Sequence, residues 1–159
     1  MADTERTARV EELVRNLRWA QQRYVEIDLG PFPTQEETTL LDLFDEFDAG
    51  SDGLRALVVR ELVISRLSPL LRVAAGRMQQ QGAATGSLSL LRASLLARAF
   101  EASDSQYSDW REIVNGLPET KKAIHESGGD ADQVFGEVQA LFPGRPAELL
   151  GYYDTPTGQ

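Results

Sequence analysis

Apolar residues recur at three- and four-residue intervals along most of the chain, and no run alternates apolar with polar residues as a half-buried strand does. That periodicity confines the fold to packed helices. With 159 residues, a single domain can bury a core of its own without metal or disulfide staples. The expected class is all-α: an irregular helical bundle or a short stack of helical hairpins, with six to eight helices. One domain is expected over 1–151, followed by a polar tail over 152–159. No repeat of fixed period supports a regular solenoid.

Val10, Leu13, Val14, Leu17 and Tyr24 predict a first amphipathic helix from about Thr7 to Asp28, stopped by Gly30-Pro31-Phe32-Pro33. Thr34 and Glu37 have the spacing of a capping box, so a second helix is predicted over 35–48, with Leu40, Leu41, Leu43, Phe44 and Phe47. From Leu54 to Ala75 the chain is apolar nearly all round the helix, the pattern of a central element. Ser68-Pro69 fits an N-cap and first helical residue, giving either two helices over 53–67 and 69–80 or one kinked helix. Residues 79–86 are predicted as a loop, and Ser87 as the start of the next helix. A helix is predicted from Ser108 to about Leu117, and a shorter one restarts at Pro118. Asp130 is a predicted N-cap for 131–142, and a short turn is expected at 146–151.

Charge is segregated along this pattern. Residues 24–54 hold nine acids and no base, whereas 55–98 hold seven arginines and one acid. Arginines on the central helices can pair with the acidic helix inside the fold. Alternatively, the carboxylates can form an outward face that docks a basic partner. A third arrangement is an anion site on the arginine stretch, where Arg55, Arg66 and Arg77 stand eleven residues apart and drift only about 20° per step on a straight helix.

Composition excludes several chemistries. The chain has no cysteine and one histidine, His125, so thiolate metal sites, thiol catalysis and a two-histidine metal site within one chain are out of reach. No cofactor and no metal are expected. A net charge of −9 argues against nucleic acid or an anionic membrane as partner. The charged N-terminus and the lack of a long apolar stretch suggest a cytoplasmic protein. Fourteen arginines against two lysines suggest a GC-rich bacterial genome.

Few motifs carry chemistry. Asp48-Ala49-Gly50-Ser51-Asp52-Gly53 resembles the start of a calcium-binding EF-hand loop, but position three is Gly50 and position twelve is Val59, where a glutamate is needed. A helix-connecting loop accounts for it better. His125 near a helix end suits an interaction with the last carbonyls more than general-base catalysis. Trp110, capped by Ser108 or Asp109, and Trp19 read as core aromatics, with a partner anchor as the alternative for each.

The stretch Asp104-Ser105-Gln106-Tyr107-Ser108-Asp109-Trp110-Arg111, then Lys122-Ala123, then Gly129-Asp130-Ala131-Asp132-Gln133-Val134-Phe135, is similar to the C-terminal half of HEAT-like helical proteins of GC-rich bacteria. Pro118, Lys121-Lys122 and the position of His125 depart from their pattern. The resemblance implies a helical fold and no particular activity.

The function expected from these features is a non-enzymatic helical module that binds another protein with a basic surface. Its acidic face would comprise Glu36, Glu37, Asp42, Asp45, Glu46 and Asp48. The competing reading is an enzyme or small-ligand protein using Arg66 or Arg72 with carboxylates in an interhelical cleft. No phosphate loop, nucleophile elbow or other catalytic constellation supports it, and no catalytic residue is assigned.

Overall fold

The computed structural model describes residues 3–26, 28–103 and 110–142, with only the backbone for residue 3 and residues 110–115. Among these it is all-helical: α1 (Asp3–Glu26), α2 (Gln35–Ala49), α3 (Asp52–Ile64), α4 (Ser68–Thr85), α5 (Leu88–Ala102), α6 (Trp110–Glu126) and α7 (Ala131–Leu141). These seven helices fall within the range the periodicity predicts. The predicted turn at 146–151, the tail over 152–159 and the caps Ser108 and Asp109 lie outside the described residues.

α4 and α5 share the most extensive interface and form the centre. Small residues let them approach. Ala74, Ala75, Ala93 and Ala97 of these helices are buried, and Ser94 Oγ donates to the Ala75 carbonyl at 2.8 Å. The α1–α2 hairpin packs on one flank through α1 against α3 and α4, while α6 and α7 pack against α5. The core stripe of α1 is the predicted one, with Val10, Leu13, Val14, Leu17 and Tyr24 all buried.

Several boundaries differ from expectation. α1 already includes Asp3, ahead of the predicted start at about Thr7. The apolar stretch forms two helices, but the N-cap of α4 is Leu67, with Ser68 buried inside the helix. The capping hydrogen bond comes from α1. Gln21 Oε1 accepts from the Leu70 amide at 3.3 Å, and its Nε2 donates to the Arg66 carbonyl at 3.1 Å.

Residues 79–85 are helical, and the turn waits for Gly86, whose φ of +69° suits a residue without Cβ. Gln79 is held there by Arg98 and Thr120, each donating to its Oε1, at 2.9 Å and 2.7 Å. Gly82 packs so closely on Leu91 that a Cβ would lie 2.9 Å from its Cγ.

Pro118 lies inside α6 and does not divide it. A proline in a helix interior costs about 3 kcal/mol. Complete burial of Leu117 and Ile124, at about 1.5–3 kcal/mol each, offsets that.

Candidate functional site

The six carboxylates of the predicted docking face divide into two groups along α2. Glu36 and Glu37, at its N-terminus, do not face outward. Glu37 is fully buried and occupied on every side. Its carboxylate accepts from the Thr34 amide at 2.7 Å while Thr34 Oγ1 accepts from the Glu37 amide at 3.1 Å, completing the predicted capping box. Arg77 from α4 grips the same carboxylate with Nε and, at 3.1 Å, Nη2. The Tyr24 hydroxyl donates to it at 3.0 Å.

Burial alone would raise the Glu37 pKa. The hydrogen bonds from Arg77, Thr34 and Tyr24 outweigh burial and hold it below the ordinary glutamate value. The Tyr24 hydroxyl is pushed well above the usual tyrosine range, first by burial and then by the Glu37 charge, so it stays a donor. Arg77 also donates to the Gly30 carbonyl at 3.1 Å and lies 5.9 Å from the Phe32 ring centroid, tying down the loop between α1 and α2. Glu36 is buried as well and meets Arg23 at 3.5 Å.

The second group lies on the C-terminal half of α2. Asp42 and Glu46 share Arg9, at 3.9 Å and 3.5 Å. Asp48 receives both Nη atoms of Arg92, at 2.6 Å and 3.0 Å. Asp45 is exposed and has no ion-pair partner among the described residues. Partial burial first, and then the charges of Asp42, Asp48 and Glu46, push its carboxyl above the ordinary aspartate value. Two arginines therefore face four carboxylates, and excess negative charge remains at the surface.

The arginine stretch is spent mostly inside the molecule. Arg55 donates to the Phe47 and Asp48 carbonyls at 3.1 Å and 3.0 Å, and Arg6 donates to the Ala49 carbonyl at 2.9 Å. These bonds satisfy the open end of α2, where a cation also complements the helix dipole. Arg72 meets the buried Glu101 at 2.7 Å. Arg55, Arg66 and Arg77 do not form a single row, because the chain breaks between α3 and α4 at Arg66, whose φ is +55°. Their eleven-residue spacing thus has no anion-binding counterpart.

Trp19, expected in the core, is 84% exposed. It borders an open groove of about 370 Å³ between α1 and α2, lined by Asn16, Ala20, Arg23, Gln35, Glu36 and Thr39 among others. The sequence does carry the signal. At 100° per residue, Trp19 stands about 200° round the helix from Leu17 and falls off the stripe of buried positions. Residues 13–25 also hold three arginines and no acid, a local reversal of the chain's negative charge.

The Asp48–Gly53 segment behaves as a connector. Ser51 Oγ accepts from the Leu54 amide at 3.3 Å, and the Asp48 carboxylate is held by Arg92. No group of three or more potential metal ligands occurs among the described residues. His125 lies exposed in the last turn of α6, and no described helix is long and apolar enough to cross a membrane. The Trp110 side chain lies outside the described residues. Searches against family models, curated proteins and solved structures return no match for this chain.

Proposed function

We propose that the chain is a non-enzymatic helical module that binds a protein with a basic surface through the C-terminal half of α2. The observation that carries this reading is the charge left over after internal pairing. Among the described residues, Asp42, Asp45, Glu46 and Asp48 share only Arg9 and Arg92, and Asp45 stands in solvent among like charges. A basic partner would relieve that repulsion. It would also be steered toward the face, which raises the association rate more than the final affinity. Glu36 and Glu37 act beneath this face by fixing α2 on α1 and α4, and do not touch the partner.

The test is affinity capture from the cells that express the protein, run at low and at high salt. The bait is the native chain or the triple variant Asp42→Asn, Asp45→Asn, Glu46→Gln. A basic protein retained at low salt by the native chain and lost by the folded variant supports the reading. Equal retention by both baits, or no salt-sensitive basic protein retained by either, overturns it.

A further inference from the structure

The fold leaves α3 with more apolar surface than it buries. The stretch from Leu54 is apolar nearly all round, the pattern of a buried helix, yet the centre goes to α4 and α5 and α3 packs at their side. Leu54, Val58 and Leu62 are the buried side of α3. Opposite Val58, at 100° per residue, Gly53, Ala56, Arg60 and Val63 stand within about 40° of one line, and Ile64 about 60° from it. We infer that this outer face of α3 pairs with the same face of a second copy of the chain, the two helices running antiparallel.

The apolar surface is the driving term. Ile64 is 65% exposed, Ala56 is exposed and Val63 is only partly buried. Local stability does not account for them, since valine and isoleucine are poorer helix formers than the charged residues of a solvated face. The outer face of α1 shows that alternative, with Glu11, Glu12, Arg15 and Arg18 exposed. The outer line of α3 carries one charge, Arg60, and covering its aliphatic neighbours removes their hydration cost.

Self-complementarity selects a second copy. A two-fold contact needs one surface that matches itself. Gly53 and Ala56 make the N-terminal half of the face small, and Val63 and Ile64 make the C-terminal half bulky. Val58 is the midpoint of α3, so full antiparallel overlap sets Val63 at the level of Gly53 in the other copy and Ile64 at the level of Asp52. Bulky side chains thus meet the small half twice over. A Cβ built on Gly53 would meet only Ser51 Oγ, at 3.9 Å, which leaves room above it for the other copy's Ile64.

Charge sets the orientation. Asp52 stays fully exposed although Arg55 lies 3.6 Å away, and in the antiparallel pair it falls about one turn beyond the second copy's Arg60 and just short of its Arg66. Glu61, which meets Arg60 at 3.9 Å, lies on the flank, about 120° from the outer line. A parallel pair would set Asp52 on Asp52, Arg60 on Arg60 and bulk on bulk. One helix face about 20 Å long covers less than the roughly 800 Å² per partner of a standard interface, so the dimer is weak and concentration-dependent. The acidic face on α2 uses other residues, and either surface can fail without the other.

Sedimentation velocity between about 20 µM and about 1 mM reads the association. The average mass should rise from 17.6 kDa toward twice that value. Ala56→Arg, which places a second cation opposite Arg60, and Ile64→Gln should each weaken the dimer roughly ten-fold or more. Both positions are exposed, so thermal midpoints in dilute solution should stay near the native value. The chain lacks cysteine, so single replacements read the orientation. An equimolar mixture of Gly53→Cys and Ile64→Cys with oxidised glutathione should form the mixed disulfide, since those positions come within bonding distance across the pair. Ile64→Cys alone should not bridge, because antiparallel copies hold that position about 18 Å apart along the axis. A monomer at every concentration would overturn the proposal, even if a different protein were captured on this face. Dimerisation untouched by both variants would overturn it too, as would bridging of Ile64→Cys to itself in preference to the mixed disulfide.

Discussion

Glu37 shows how one side chain can serve three elements at once. It caps α2, receives Arg77 from α4 and accepts the Tyr24 hydroxyl of α1. Its pKa in the folded chain lies below its ordinary value of 4.5. The stabilisation it gives is therefore complete above that value and is lost as pH falls through the folded value. Urea midpoints should drop as pH falls below about 4.5, and the drop should be smaller in Glu37→Gln. At pH 7 that variant should be less stable by about 2–3 kcal/mol, because Arg77 loses its anion and an amide cannot replace both charge-assisted bonds. The capping box is legible from Thr34 and Glu37, since both partners lie within one turn. The roles of Arg77 and Tyr24 are not, since forty and thirteen residues separate them from Glu37.

Helices in this molecule end where tertiary contacts allow, and propensity alone misplaces them. Gly82 is the sharpest case. A glycine in a helix interior normally costs about 1 kcal/mol relative to alanine. Gly82→Ala should nevertheless destabilise the protein by about 1–3 kcal/mol, because its Cβ would meet Leu91 Cγ at 2.9 Å and the Leu91 amide nitrogen at 3.1 Å. Gly76 lies in the same helix, and a Cβ there would have nothing within 4 Å. Gly76→Ala should therefore stabilise by up to about 1 kcal/mol. Thermal unfolding of the two variants checks the opposite signs. The glutamines, glycines and threonine of residues 79–86 suggest a loop when only neighbours in sequence are considered. What keeps the segment helical comes from elsewhere: Gln79 is bonded from α5 and α6, and Gly82 serves close packing.

At the scale of the whole molecule, an aromatic cluster joins distant parts of the chain. Phe47 and Phe100 meet edge to face at 4.8 Å, and Phe142 stacks on Phe47 and meets Phe100, both at 5.0 Å. Phe142 follows α7, so this contact fixes the end of α7 against α2 and α5. Phe142→Ala should cost about 3–5 kcal/mol by urea denaturation, the range for emptying an aromatic site in a core. Backbone amide exchange should rise most in α7, which is the shortest helix held by the cluster.

The sequence by itself determined the helical class, the buried stripe of α1 and the local caps at Thr34, Ser51, Ser87 and Asp130, because each depends on residues within one or two turns. Trp19 belonged to the same local code, since its angle round α1 already set it off the buried stripe. Only the tertiary structure decided which charges remained outside. Arg77 and Glu37, or Arg92 and Asp48, find one another across forty or more positions of chain. A carboxylate's charge is written in the sequence, whereas its exposure depends on which helix folds over it.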